Sequence, residues 1–262
     1  MIINPYSFGV SYDPDAQAFF TASGLTGATN LTAINQLVLD LKGFGIWTKM
    51  KAIYPMIGGT AALHKWNLKD PRDLDAAFRL VFAGGWTHSS TGALPNGTNG
   101  YANTYLDTAN NLALNSGHLS YYSRTNNTTS ALDMGSLKSS PDSYSDLVLY
   151  YTGLVYSRFN NSAIYDNLSS TSTLGFFTGS RTASNIIRTF RNGTQIIAGT
   201  ATSNATSAID FYLGSTNNNG TAQFFSNRQC SFASIGDGLT NTDAANFYTA
   251  VQAYQTTLSR NV

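Results

Sequence analysis

At 262 residues and 42% hydrophobic content, the chain holds enough apolar material for one large domain or for a domain with an appendage. Only 11% of residues are charged, against roughly 25% in an ordinary soluble domain. Net charge is +1 with no basic stripe, which gives no support to nucleic-acid binding.

The acidic set is fourteen Asp and no Glu. The strongest acidic helix former is therefore missing, and Asn, Thr, Ser and Gly dominate the polar residues, a composition that favours turns and strands. The N-terminus, Met1 to Phe8, has neither a basic region nor a long apolar one, so no signal peptide is expected. No stretch reaches about 18 uninterrupted apolar residues, the length of a membrane-spanning helix.

In chain order, Asp13 before Pro14 is a helix start, an N-cap followed by a proline at the first position. Leu31, Ile34, Leu37, Val38 and Leu41 form a helical stripe that Gly43 or Gly45 would end, and residues 46–53 read as a third short helix before Pro55. This gives a small helical cap over roughly residues 12–54.

Residues 79–83 then read as a strand, and 84–105 as a Gly/Asn-rich loop. Residues 118–123, 146–151, 173–178, 209–214 and 229–235 also read as strands, several with clear alternation. Two strand-like runs flank Asn192-Gly193, a pair suited to the positive φ angles of a type I′ hairpin turn. Asn217-Asn218-Asn219-Gly220 is a further turn. A closing helix capped by Thr240 or Thr242 carries Phe247, Val251, Tyr254 and Leu258 on one face. The triplets Asn96-Gly97-Thr98 and Asn192-Gly193-Thr194 read as turns, and Cys230, alone in the chain, as a buried small hydrophobe.

Short strands at regular spacing with turn signals between them indicate a β-sandwich or jelly roll. The last part of the chain, with Thr189-Phe190-Arg191-Asn192-Gly193 at a hairpin and Leu239-Thr240-Asn241-Thr242-Asp243-Ala244 opening a helix, resembles laminin-G/concanavalin A-like domains. The expected fold is thus a mainly β, laminin-G/concanavalin-like jelly-roll sandwich. Residues 1–60 would form a helical segment packed on it, and residues 61–262 the sandwich with its closing helix.

His64-Lys65-Trp66-Asn67-Leu68, Gly84-Gly85-Trp86-Thr87-His88 and Leu94-Pro95-Asn96-Gly97-Thr98 resemble a family of bacteriophage virion proteins carrying this domain. That resemblance implies a structural protein on the virion surface, in a tail, fibre or head appendage. It also implies contact with other virion proteins, homo-oligomers, and a lectin-like module for host-surface glycans. The alternatives are a non-binding capsid decoration protein or a polysaccharide depolymerase.

Catalysis finds little to work with. The Glu pair of concanavalin-like hydrolases is impossible without Glu, and Asp70, Asp73 and Asp75 read as a solvated turn with local ion pairs. No enzyme activity is expected. His64, His88 and His118 are scattered without metal-ligand spacing. No cofactor is expected; Ca²⁺ at a sandwich rim would call on Asp166, Asp210 and nearby Asn residues. Sugar recognition uses aromatic faces and planar amides, which makes Trp86, His88, Asn99, Tyr101 and Tyr105 the ligand-binding candidates. The same Trp86 and tyrosines would equally serve to pack the cap onto the sandwich.

Overall fold

The structure, a computed structural model, describes residues 11–162 and 166–262. The N-terminal stretch in which the sequence shows no leader pattern lies outside the described residues. The chain enters through α1 (Pro14–Ser23) and α2 (Ala28–Gly43). The Asp13 carboxylate caps α1 by accepting from the Asp15 amide at 2.9 Å, and Gly24, at φ 70°, closes it in the left-handed region.

The third helix expected over residues 46–53 is not there. Trp47–Lys49 makes one 3₁₀ turn, and Met50–Tyr54 is a strand, β1. The physical reason is a partner far away in sequence: Ala52, Ile53 and Tyr54 pair with Ile235, Ser234 and Ala233.

Further along come α3 (Ala61–His64), β2 (Val81–Ala83), β3 (Trp86–Ser89), β4 (Gly92–Pro95) and β5 (Tyr101–Asn103). The expected 84–105 loop is therefore three short strands joined by tight turns. Next are α4 (Thr108–Asn111), β6 (Gly117–Ser123), β7 (Met134–Ser139), β8 (Asp142–Tyr151) and β9 (Leu154–Asn161). Then follow β10 (Leu168–Ser169), β11 (Gly175–Ala183), β12 (Ile186–Arg191), β13 (Thr194–Gly199) and β14 (Tyr212–Leu213). The chain ends with β15 (Thr216–Asn218), β16 (Thr221–Gln223), β17 (Cys230–Gly236) and α5 (Asn241–Thr257).

These strands form two sheets packed as a β-sandwich. One runs β13-β12-β11-β6-β17-β4-β3, with β1 also on β17; the other runs β10-β9-β8-β7-β14-β5-β2, with β15 beside β7 and β16 on β15. Pairing is antiparallel throughout except for β15 on β7. The Asn192-Gly193 turn has φ angles of 49° and 72°, both positive as a type I′ hairpin requires. Asn219 and Gly220 repeat the pattern between β15 and β16.

Two apolar layers result. Between the sheets lie Tyr54, Leu119, Tyr121, Met134, Leu147, Leu149, Phe159, Phe177, Leu213 and Ile235. On the outer face of the first sheet, Tyr122, Phe176 and Phe232 meet Phe19, Leu37, Val38 and Leu41 of the opening helices and Phe247, Val251 and Tyr254 of α5. The adjacent Tyr121 and Tyr122 are both fully buried, because alternate side chains enter opposite layers of a sheet covered on both faces. Thr240 and Asp243 form a reciprocal capping box that starts α5.

Candidate functional site

The sequence candidates Trp86 and His88 sit on β3, part-buried in an aromatic cluster. The Trp86 indole Nε1 donates to the carbonyls of Ala83 and Tyr101, at 3.2 and 3.1 Å. Its six-membered ring lies against Gly214, where a Cβ would come within 2.8 Å of it. Phe82 meets Trp86 edge-on at 5.1 Å and His88 at 4.7 Å. His88 and His64, far apart in sequence, meet with their Nδ1 atoms 2.9 Å apart, so one ring donates and the other accepts. The accepting ring must be neutral for this bond to form. Burial first, then His88 and the Arg260 guanidinium, pushes the His64 imidazole down to about 3.

Asn99 braces its own turn: its Oδ1 accepts from the Gly85 amide at 3.0 Å and from Asn96 Nδ2 at 2.8 Å. Tyr101 stacks on Tyr212 at 4.6 Å. Tyr105, with φ 54°, donates its amide to Asn103 Oδ1. Nearby, Asn103 Nδ2 donates to the half-buried Asp210 carboxylate, whose pKa burial raises. The five candidates do not converge: Trp86 and His88 belong to a part-buried aromatic cluster, Asn99 to a turn, and Tyr101 to a stacked pair with Tyr212.

Several other titratable groups are paired or bonded within the fold. Arg72 pairs with Asp70, Lys65 and Arg79 with Asp73, and Arg79 with Asp75. Hydrogen bonds from Lys65 and Arg79 keep the Asp73 carboxyl below its usual range. His118 Nδ1 lies 2.7 Å from the Asp237 carbonyl and Nε2 lies 3.0 Å from Ser234 Oγ; burial pushes its pKa down to about 4. Asp166 accepts from the Thr200 amide at 3.0 Å. Among the described residues no three His, Cys, Asp or Glu side chains are grouped to hold a metal ion, and no helix is long and apolar enough to cross a membrane.

A concave site lies elsewhere. Where the β6–β7 connection passes the segment after β10, Asn126, Asn127, Thr128, Thr129, Tyr150 and residues 170–173 line a cavity of about 320 Å³. That volume falls in the range of small-ligand clefts, and the lining carries no charge.

Its walls are laced together. Thr173 Oγ1 donates to the Thr125 carbonyl at 2.8 Å, its amide donates to Asn126 Oδ1 at 3.1 Å, and the Asn127 amide donates to Thr173 Oγ1 at 3.1 Å. Beneath them lies a fully buried ion pair, Arg228 Nη1 to the Asp133 carboxylate at 2.9 and 3.1 Å. Arg228 Nη2 donates to the carbonyls of Asn127 and Thr129 in one wall and of Tyr150 in the next. Asp133 also accepts from the Leu149 amide and Ser226 Oγ.

Against this fixed frame, the Tyr150 hydroxyl, Asn126 Nδ2 and the hydroxyls of Thr128 and Thr171 make no hydrogen bond among the described residues. They are polar groups held in place with capacity left over. The sequence did not single out this cavity because Asn, Thr and Ser are abundant along the whole chain. The faint signal available was the Asn126-Asn127-Thr128-Thr129 run beside a strand-end tyrosine.

The sequence matches no protein-family model and no curated protein. Among solved structures the fold is similar to a Trypanosoma rangeli sialidase in complex with 2-keto-3-deoxy-D-glycero-D-galacto-2,3-difluoro-nononic acid. That match has TM-score 0.52 and 10% identity, over 83% of this chain and 39% of the sialidase. It is also similar to the binding domain of botulinum neurotoxin DC in complex with rat synaptotagmin II, at TM-score 0.50 and 11% identity, over 79% of this chain and 53% of that one. Domain 4 of AbnA, an extracellular arabinanase from Geobacillus stearothermophilus, in complex with arabinotriose, aligns at TM-score 0.42 and 15% identity over 76% of this chain and 98% of that domain. The chain therefore spans less than two thirds of the sialidase and of the toxin chain. At these identities the likeness is one of fold, the β-sandwich.

Proposed function

We propose that this chain is a glycan-binding β-sandwich module whose sugar site is the cavity between residues 126–129 and 170–173. The observation that carries the reading is that cavity: an uncharged cleft of about 320 Å³, walled by amides and hydroxyls and flanked by one tyrosine. A sugar ring presents hydroxyls that both donate and accept, and side-chain amides and hydroxyls answer both. A tyrosine ring adds an apolar face for the C–H surface of a pyranose. The frame is fixed before ligand arrives, so little ordering entropy is lost on binding.

The role is recognition and not catalysis, a reading supported by the absence of Glu from the sequence and by ion pairing of the Asp70, Asp73 and Asp75 group. The place we propose, the surface of a bacteriophage virion among other virion proteins and as a homo-oligomer, rests on the resemblance carried by residues 64–71, 84–88 and 94–102.

A glycan array probed with the purified chain tests the reading, together with Tyr150→Ala, Asn126→Ala and Trp86→Ala variants. Saturable binding weakened by the first two and retained by the third is the expected result. Absence of binding to any glycan by the wild type would overturn it and leave virion architecture as the role.

A further inference from the structure

A second, smaller cavity of about 140 Å³ abuts the first. Ser170, Thr171 and Ser172 line both, so the two chambers share one wall. The smaller chamber is different in chemistry. Its floor is Val155, Leu168, Phe177 and Ile196, and its one charged side chain is Arg191, the only charge in either lining.

Arg191 is part-buried and tethered without being neutralised. Its Nε donates to the Leu174 carbonyl at 3.1 Å, and its guanidinium carbon lies 5.5 Å from the centre of the Phe177 ring. Among the described residues Arg191 has no carboxylate partner, and neither of its η nitrogens makes a hydrogen bond. A guanidinium stacked on an aromatic face is held in orientation with its fork unused, and that fork matches a carboxylate in two parallel hydrogen bonds.

We propose that the cleft takes an acidic glycan, with a sugar carboxylate bound by Arg191 in the smaller chamber and the adjoining sugar ring in the larger one. The inference rests on the glycan-binding reading of the larger chamber and adds the chemical class of its ligand. A sialic acid and a hexuronic acid share the carboxylate, and separate arms of the experiment distinguish them.

The test is titration calorimetry of the full chain with sialyllactose against lactose, and with a galacturonate trisaccharide against its carboxyl-reduced neutral counterpart. Arg191→Gln and Arg191→Lys are carried alongside. A charge-assisted, two-point contact corresponds to roughly 10- to 100-fold in affinity. At least one acid is therefore expected to bind that much more tightly than its neutral match. Arg191→Gln should erase the difference while leaving neutral binding unchanged, and Arg191→Lys, which keeps the charge but loses the fork, should fall between. Equal binding of acid and neutral forms by the wild type, a comparison that needs no variant to fold, would overturn the inference while leaving the glycan site standing. An acid preference that survives in a folded Arg191→Gln chain would overturn the assignment to Arg191. Failure of every sugar to bind would bring down both readings.

Discussion

The aromatic strands at residues 82–103 and the polar loops at 125–129 and 170–174 are both held by dense networks, yet they end in opposite states. In the first, the groups that brace the turn and the aromatic cluster already have partners. Trp86 is bonded at Nε1 and seated on Gly214, His88 is paired with His64, and Asn99 braces Gly85. In the second, the partners lie behind the cavity wall and the front is left open: Arg228 holds the carbonyls, and Tyr150, Asn126, Thr128 and Thr171 keep free donors. Side-chain type alone does not separate a plug from a site. What separates them is whether the surrounding fold has used up their bonding capacity.

The largest effect should come from the charge beneath the polar loops. Arg228→Met leaves Asp133 buried without its counter-ion, and the expected loss is about 3–5 kcal/mol, measured by urea denaturation. Any folded fraction should lose glycan binding as well, since the 127–129 wall would be unsupported. Stability close to wild type would show that the wall does not depend on this pair.

Trp86→Ala is the mirror experiment. It empties a packed indole site at a cost of ~3 kcal/mol, read as a lowered denaturation midpoint, while glycan affinity should stay within twofold. A stable variant that loses binding would move the site to residues 84–105 and reverse the comparison.

Acid sharpens the contrast further. His64 and His118 have folded-state pKa values pushed down to about 3 and about 4, from the ordinary value of 6.5. Above pH 6.5 both are neutral folded or unfolded, and their contribution to stability is fully present. Below it the unfolded chain takes up protons that the folded chain refuses, so stability falls by about 1.4 kcal/mol per histidine per pH unit. The fall continues until His118 protonates near 4 and His64 near 3. Thermal melts from pH 7.5 to 4.5 should show this decline, and His118→Asn, with its isosteric amide, should flatten part of it. A melting temperature flat over that range would contradict the buried neutral state of both rings.

Much of the sandwich was legible in the sequence, because its strands β6, β8, β11, β12 and β17 carry alternating or β-branched runs with Gly/Asn turns between them. The Asn192-Gly193 hairpin and the Thr240 cap are local events, encoded where they occur. What was hidden depends on distant partners. Met50–Tyr54 has the composition of a helix end and becomes a strand because β17 offers an edge. Residues 209–214 read as a full strand, yet only Tyr212–Leu213 pair. The meeting of His64 with His88 and the cavity built from two loops 46 residues apart arise from topology, which a uniform Asn/Thr/Ser background does not announce.

The smallest change we expect to resolve is at the helix layer. Thr240→Ala removes one half of the capping box of α5, a loss of about 1 kcal/mol, measurable by denaturation and without effect on glycan binding. A change in binding would show that the helix layer and the cleft are coupled.

The most direct measurement is amide shift mapping by NMR of the labelled chain, titrated with the tightest array glycan. Saturable shifts concentrated at residues 126–129, 150 and 170–173, with residues 84–105 still, are the expected result. Shifts centred on residues 84–105 or on the Tyr101–Tyr212 patch, with the polar cleft unmoved, would contradict the assignment of the site.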